Sequence, residues 1–317
     1  MIANLAATRM RPDAARWRRR QGPDGVHLFR RSDGVNVLLD ITSPPETWSV
    51  APRQVSIALT NACDLRCAYC YAPKQSAMLD AGMLLRWLRE LDTVGAFAVG
   101  FGGGEPTLHP TFAEICRETA QTTGLAVTFT THAHHISADL CREIAGSVHF
   151  VRVSMDGVGA TYERLRGRSH KALLERINML ASVAPVGINT VVNSDTIGEL
   201  DDVVAAAIGV GATELLLLPE RAVGARSGID RDTEGALRGW VQQYRGPIRL
   251  VVSEAGSGDL PVVNPLPRES GLQSFAHIDA TGTLRSSSFA TEGVRIDAGG
   301  VANALQRLEQ ILERGRE

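Results

Sequence analysis

The chain has 317 residues, of which 44% are hydrophobic and 21% are charged, as in an ordinary globular protein rather than a disordered one. Its formal net charge is −2 and it has no apolar run of membrane-spanning length, so we expect neither a nucleic-acid partner nor a membrane partner. The length allows one large domain or two modest ones. The five cysteines suit a reducing compartment, and we therefore expect a cytoplasmic protein.

The amino-terminal part combines a basic stretch with a short β-hairpin. Six arginines within the first twenty residues predict a solvated basic end, an arm for an acidic partner such as a peptide segment, or a cleaved presequence. Residues 26–30 and 35–40 flank an Asp-Gly turn and predict the hairpin. The Pro-rich residues 43–46 predict a linker, so we assign residues 1–50 to this region.

A regular alternation of strands and helices begins at residue 55. It predicts a parallel α/β sheet, either an open six-stranded barrel or a flat doubly wound sheet. Several strands are apolar without alternation, as strands covered on both faces should be. The predicted strands are 55–60, 96–102, 126–131, 149–155, 186–192 and 214–219, and the predicted helices are 78–93, 110–122, 137–145, 169–183, 198–209 and 232–245.

The rhythm changes after Pro261. Residues 275–279 and 283–286 predict a second hairpin around a Gly-containing turn. The end of the chain is helical, because Val301, Leu305 and Leu308 form one apolar stripe.

Three cysteines lie in one loop just after the strand 55–60. They are Cys63, Cys67 and Cys70, in the segment CDLRCAYC. Three sulfurs in one loop can hold a soft metal or an iron–sulfur cluster. A structural zinc site would need a fourth ligand and two separated ligand pairs, and neither is evident nearby.

This C-x3-C-x2-C spacing resembles the signature of the radical SAM superfamily. The resemblance implies that Cys63, Cys67 and Cys70 hold one [4Fe–4S] cluster and that Tyr69 lines the cofactor site. The fourth iron would bind S-adenosylmethionine, whose reductive cleavage would give a deoxyadenosyl radical that abstracts a hydrogen atom from the substrate. The cofactor would supply this chemistry, and the protein would bind, orient and exclude water.

A glycine run ends the second predicted strand of the alternation. It reads Gly103-Gly104-Glu105-Pro106 and resembles the superfamily's GGEP motif. The resemblance implies that this segment binds the amino group of the methionine part of the cofactor. Glycines also let backbone groups approach a ligand closely.

The next strand ends give further candidate cofactor contacts. Thr131 matches a Thr-Asn-Gly motif of many relatives, whereas His132 departs from it, and we expect His132 to be an ordinary exposed loop histidine. Ser154 and Asp156 resemble the S-x-D-G motif of peptide-modifying relatives, in which Ser154 would reach the cofactor and Asp156 would fix the loop. Arg166 occupies the position at which those relatives have an arginine suited to a carboxylate.

Other residues leave alternatives open. Asn189 lies within a strand, so its amide either contacts ribose or adenine or has a structural role. Glu220 and Arg221 face either substrate or solvent. Cys116 and Cys141 follow helical apolar spacing and are expected in the core.

The resemblance selects the partial (β/α)6 barrel for residues 51–255 and implies a small α+β lid resembling a SPASM or twitch domain for residues 256–317. Such lids usually hold auxiliary clusters, but here Ser286-Ser287-Ser288 stands where the first cysteine would be, so we expect a single cluster.

Together these features predict a radical SAM enzyme that crosslinks or epimerises a ribosomally made peptide, with flavodoxin or ferredoxin as electron donor. The alternatives are a radical SAM enzyme acting on a sugar, amino acid or nucleotide, and a non-catalytic iron–sulfur or zinc protein.

Overall fold

The computed structural model describes residues 17–223, 226–252 and 254–314. Residues 1–16, which carry three of the six arginines of the predicted basic end, lie outside the described residues.

The described strands form two sheets. A small antiparallel sheet has the order β1-β2-β3, and a large sheet has the order β10-β9-β8-β7-β6-β5-β4-β11-β12-β13. The strands are β1 (Arg18–Gly22), β2 (Gly25–Arg30), β3 (Val35–Leu39), β4 (Gln54–Thr60), β5 (Ala98–Gly103), β6 (Ala126–Thr131), β7 (Phe150–Ser154), β8 (Val186–Val192), β9 (Glu214–Pro219), β10 (Arg249–Val252), β11 (Phe275–Ile278), β12 (Thr283–Arg285) and β13 (Val294–Arg295).

The helices lie between the strands of the large sheet and at the end of the chain. None within the described ranges combines the length and apolar character that crossing a bilayer requires. They are α1 (Ala81–Thr93), α2 (Phe112–Thr122), α3 (Ala138–Ile144), α4 (Gly159–Arg166), α5 (His170–Ala181), α6 (Leu200–Gly209), α7 (Arg231–Gln243), α8 (Glu254–Ser257) and α9 (Gly300–Arg314).

The large sheet is parallel from β4 to β10, and its topology is that of the predicted partial α/β barrel. β11 adds to the free side of β4 in parallel, and β12 and β13 follow as antiparallel strands. The C-terminal hairpin therefore continues the barrel sheet. The domain boundaries at residues 50 and 255 stay predictions.

Each barrel strand has one face for the helices and one for the interior. Val55, Ile57 and Leu59 of β4 are fully buried in the core that the helices share. Because side chains alternate along a strand, the intervening residues of the same strand point into the barrel. On β5 the intervening positions are Ala98, Gly100 and Gly102, so this side of the barrel interior is lined by very small residues.

The small N-terminal sheet is fixed to the rest of the protein by buried charges, which corrects the expectation of a solvated basic end. Arg20 on β1 is only 4% exposed and lies 3.1 Å from a carboxylate oxygen of Glu269. Arg53 contacts the other oxygen of Glu269 at 2.8 Å, and Asp24 accepts the backbone N–H of Glu269 at 3.0 Å. The pattern of the sequence could not show this, because the partner of Arg20 lies near the opposite end of the chain.

Apolar and capping contacts complete this attachment. Phe29 stacks on Phe97, with 5.3 Å between ring centroids, just before β5 begins. Arg31 donates to the carbonyl of Thr123 at 2.8 Å and thereby satisfies a carbonyl at the end of α2. The N-terminal sheet therefore packs beside the starts of β5 and β6.

The expected burial of Cys116 and Cys141 is confirmed.

His149 gives a test of how this core responds to acid. Its Nδ1 accepts the backbone N–H of Val127 at 3.1 Å, and burial lowers its pKa to about 4. Between about pH 6.5 and pH 4 the unfolded chain binds a proton that the folded chain does not, so stability falls as the pH falls.

We predict that His149→Asn, which keeps an acceptor for Val127, reduces the slope of unfolding free energy against pH by about 1.4 kcal/mol per pH unit in that window. Urea unfolding followed by circular dichroism at several pH values measures the slope. An unchanged slope would show that His149 does not resist protonation in the folded state.

Candidate functional site

The three loop cysteines follow β4 directly and are half-buried, and none is in a disulfide. A tight turn, with the N–H of Cys70 donating to the carbonyl of Cys67 at 3.1 Å, brings the last two together. The backbone N–H of Leu65 points at the sulfur of Cys63 at 3.4 Å. Burial raises the pKa of the thiols of Cys63 and Cys67, so metal binding there would release protons.

The end of β5 lies directly against the backbone that leads into the cysteine loop. The N–H of Gly104 donates to the carbonyl of Thr60 at 2.7 Å, and the N–H of Glu105 donates to the carbonyl of Ala62 at 2.8 Å. A Cβ on Gly104 would lie 2.2 Å from the Ala62 oxygen. Gly103 has φ of +122°, and its Cβ would lie 2.2 Å from the Thr60 oxygen. Both positions therefore need glycine to allow this contact between backbones.

Glu105 connects the end of β5 to the end of β6. Its carboxylate is 1% exposed and accepts hydrogen bonds from the hydroxyl of Thr107 at 2.6 Å and the hydroxyl of Thr131 at 2.7 Å. It also accepts the backbone N–H of His132 at 2.9 Å. These bonds satisfy the buried charge and fix the two strand ends relative to each other.

His132 is 4% exposed, so the expectation of an ordinary exposed loop histidine was wrong. Its Nδ1 accepts the backbone N–H of His134 at 3.1 Å, and the neutral ring therefore carries its proton on Nε2. That Nε2 lies 2.9 Å from Asp64 and 3.3 Å from Glu105. His132 stands where the Thr-Asn-Gly motif has Asn, and for that reason the sequence did not indicate that this side chain bridges the cysteine loop and the end of β5.

Asp64, directly after Cys63, receives further donors from a different part of the chain. Arg168 donates to it at 2.7 Å, and Nε2 of His135 lies 3.2 Å away. Although burial acts in the opposite direction, these hydrogen bonds lower the pKa of Asp64 well below its usual range. The cysteine loop is thus held by charge-assisted bonds to the loop after β6 and to the connection between α4 and α5.

Asp156 holds the loop after β7, as its place in the motif suggests. It is 1% exposed, and one oxygen accepts the hydroxyl of Tyr69 at 2.6 Å and Nε of Arg166 at 2.6 Å. Its other oxygen accepts the N–H of Val191 at 2.7 Å. Tyr69 and Arg166 are therefore brought together around one carboxylate, and their contacts with a cofactor stay predictions.

Ser154 and Asn189 are neighbours across β7 and β8 and point to the same face. The amide oxygen of Asn189 lies 3.4 Å from the guanidinium of Arg152, which also pairs with the buried Glu214. Arg152 is therefore a partner of Asn189 within the protein. A Cβ on Gly102, near the end of β5, would meet no atom within 4 Å, so open space adjoins this strand end.

The two residues after β9 have different surroundings. Glu220 is 5% exposed and pairs with Arg226 and with the amide of Asn193, at 2.7 Å, so it does not face solvent. The guanidinium of Arg221 lies 4.3 Å from the ring centroid of Phe289. Phe289 also contacts Tyr71, with 4.6 Å between ring centroids. Sequence reasoning did not single out Phe289, because a lone aromatic in a serine-rich loop carries no pattern.

Comparison with known proteins gives one family and several relatives. Residues 57–207 match the family model of the Radical SAM superfamily. The mycofactocin maturase MftC of Mycobacterium ulcerans (strain Agy99) is 33% identical over 173 residues, which are 51% of this chain and 46% of that protein. The PqqA peptide cyclase of Methylorubrum populi is 29% identical over 184 residues, covering 55% and 48%. The chain thus spans about half the length of the curated relatives it matches.

Solved structures share the fold. SuiB of Streptococcus suis bound to S-adenosylmethionine superposes with a TM-score of 0.69 at 15% identity, covering 88% of this chain and 84% of that chain. The protein anSMEcpe with bound AdoMet gives a TM-score of 0.59 at 14% identity, covering 75% of each chain. At this level of identity the likeness establishes the architecture.

The close contact of β5 with the cysteine loop predicts a sharp difference between neighbouring glycines. We expect Gly104→Ala to lower the free energy of unfolding by about 3 kcal/mol, because its Cβ would overlap a backbone oxygen. Gly102→Ala, two residues earlier near the end of β5, is the matched control, and there the change should stay within about 0.5 kcal/mol. Urea unfolding measures both, and equal effects would contradict the packing described for this strand end.

A second prediction concerns the buried pair of Arg166 and Asp156. Removing the guanidinium by Arg166→Met leaves the carboxylate uncompensated and should cost about 3–5 kcal/mol of stability. Adding Asp156→Asn removes the charge, so the double variant should be more stable than the sum of the single effects predicts. A double-mutant cycle by urea unfolding measures the coupling, and strict additivity would be inconsistent with this ion pair.

Proposed function

We propose, from the match of residues 57–207 to the Radical SAM family model, that the protein is an enzyme that binds one [4Fe–4S] cluster on Cys63, Cys67 and Cys70, uses S-adenosylmethionine, and modifies a ribosomally made peptide. The observation that carries the proposal is the contact between the cysteine loop and the GGEP segment. The GGEP segment makes backbone hydrogen bonds to Thr60 and Ala62, the residues that lead directly into the cysteine loop.

The donor set fits a cluster better than a single metal ion. Cys63, Cys67 and Cys70 are three thiols in one loop, and none of them is in a disulfide. Each thiolate of a four-iron cluster binds a different iron, so three thiols can hold such a cluster, whereas a structural zinc site takes four ligands.

Within the described residues, the compact group with metal-ligating chemistry is Cys63, Asp64 and His132, which contains one thiol. This arrangement does not favour the alternative of a zinc protein.

The bound cluster and S-adenosylmethionine would supply reductive cleavage and a radical able to abstract hydrogen. The residues of this chain would bind and orient these groups. The thiols would release their protons on binding iron, and the backbone of Gly103 and Gly104 would face the methionine part of the cofactor. Ser154 and Asn189 would line the adjoining strand ends, beside the open space at Gly102.

The other predicted cofactor residues would act mainly as supports. Thr131 donates a hydrogen bond to Glu105, and the two residues would hold the strand ends in place. Tyr69 and Arg166 are bonded to Asp156, and would present the ring and the guanidinium at the edge of the site. Burial of these groups excludes water, which strengthens the electrostatic interactions within the site.

A peptide substrate is supported by the relatives. One is named a maturase and another a peptide cyclase, and the structure of SuiB is also known bound to its precursor peptide SuiA. Crosslinking or epimerisation are the expected outcomes. Flavodoxin or ferredoxin would supply the electron, and the unpaired thiols would suit the cytoplasm.

The first experiment tests the cluster and its chemistry. We expect the anaerobically reconstituted protein to hold four irons per chain and to release 5′-deoxyadenosine after reduction in the presence of S-adenosylmethionine. Cys67→Ser should abolish the release, because a hydroxyl is a poor ligand for this iron. Cys141→Ser is the matched control and should keep iron and activity. Zinc in place of iron, or a cluster that cleaves nothing, would refute the proposal.

The second experiment tests the substrate. The protein is expressed anaerobically together with short peptides encoded beside its gene, and the peptides are analysed by mass spectrometry. A crosslink removes hydrogen and lowers the mass, whereas epimerisation in deuterated water raises the mass through deuterium incorporation. The result would argue against a peptide substrate if the enzyme cleaves S-adenosylmethionine but the peptides neither lose hydrogen nor incorporate deuterium.

A further inference from the structure

The loop between β12 and β13, residues 286–293, carries an aromatic ring that the proposed chemistry does not use. Arg285 anchors the base of this loop, because its Nε donates to Asp279 at 3.1 Å and its Nη1 donates to the carbonyl of Ala290 at 3.1 Å. The hydroxyl of Ser287 accepts the N–H of Phe289 at 3.3 Å. The loop is therefore ordered by its own bonds, and Phe289 stands near its tip.

Phe289 contacts two other loops at the same time. The ring of Tyr71, the residue directly after Cys70, lies 4.6 Å away between centroids at an angle of 46°. The guanidinium carbon of Arg221, two residues after β9, lies 4.3 Å from the centre of the Phe289 ring. Ring–ring and cation–ring contacts of this kind are both attractive.

The sheet order shows what this double contact spans. Four strands, β5 to β8, separate β4 from β9 in the large sheet. The loop after β4 and the loop after β9 are therefore far apart along the sheet, and they approach each other only because the sheet curves into a partial barrel. A single ring that contacts both must lie across the space between them, beside the cysteine loop.

We propose that Phe289 is a gate residue, which closes this space and determines by size which molecules reach Cys63, Cys67 and Cys70. The ring is 40% exposed and Tyr71 is 50% exposed, so opening requires little rearrangement of the core. Each contact should favour the closed position by a factor of about two to ten. That is enough to keep the gate shut on average and weak enough for a ligand to open it.

The gate has a consequence for the substrate that rests on the proposed function. With the ring in its closed position, we expect an extended peptide to enter only by displacing it, whereas a small molecule needs less room. Phe289 would then control the entry of peptide.

Cysteine alkylation in the metal-free protein tests the gate without any cofactor. The rate of modification at each cysteine is measured by mass spectrometry with a small reagent, iodoacetamide, and with a bulky one, a maleimide carrying a polyethylene glycol chain. We expect Phe289→Ala to raise the rate with the bulky reagent at the loop cysteines about tenfold, because both ring contacts are lost. The rate with iodoacetamide should change much less.

Three comparisons keep the result specific. Phe289→Tyr keeps a ring and should behave as the parent protein. Ile311→Ala removes a similarly exposed apolar side chain, at 42%, from α9 and should have no effect. Cys141, buried within the core, serves as an internal reference whose rate should be the same in every variant. Equal bulky-reagent rates in the parent and Phe289→Ala would overturn the gate, as would an equal increase in Phe289→Tyr or Ile311→Ala.

The iron-loaded protein separates this inference from the proposed function. If reconstitution yields no cluster, the proposed function fails, while the alkylation rates still decide whether Phe289 closes the space. If a cluster forms, a bulky iron chelator, bathophenanthroline disulfonate, should remove its absorbance several times faster in Phe289→Ala than in Phe289→Tyr, because the chelator is too large to pass the closed ring. Equal rates of chelation in the two variants would count against the gate.

Discussion

The site depends on two short backbone hydrogen bonds between the end of β5 and the strand end that leads into the cysteine loop. They require that two polypeptide backbones approach without side chains between them, which only glycine at positions 103 and 104 allows. This contact places the loop with its three thiols beside the GGEP segment. The GGEP segment, which is associated with ligand binding, also allows two backbones to pack closely in this structure.

Three carboxylates then hold the surrounding loops in position. Glu105 joins the ends of β5 and β6, Asp64 joins the cysteine loop to the connections after β6 and α4, and Asp156 joins the loop after β7 to Tyr69 and Arg166. Each accepts several donors, so each charge is satisfied where it is buried. Rigid support of this kind keeps ligating groups in place before the ligand arrives. It also explains why one His at position 132 can replace a smaller residue, since its Nε2 reaches both Asp64 and Glu105.

The strands of the parallel sheet could be predicted from the sequence. Apolar runs and short connections identify buried parallel strands without knowledge of which strands pair. The predicted strand 186–192 coincides with β8, and the predicted strand 214–219 coincides with β9. β1 was missed because its three arginines suggest a segment exposed to solvent. Only the structure shows that one of them, Arg20, pairs with the buried Glu269. α4 was missed because Tyr162 is its single fully buried ring or apolar side chain, so the helix lacks an apolar stripe. The burial of His132 and the contacts of Phe289 depend on residues distant in the sequence, and no local pattern reports them.

The cysteine loop, fixed by β5, would present three thiolates that bind a four-iron cluster and leave one iron open. Mössbauer spectroscopy of the reconstituted protein, before and after addition of S-adenosylmethionine, reports on the individual irons. We expect the signal of one iron in four to change when the cofactor is added, while the other three keep theirs. A spectrum that S-adenosylmethionine leaves unaltered, or a protein that takes up a single metal ion instead of a cluster, would contradict it.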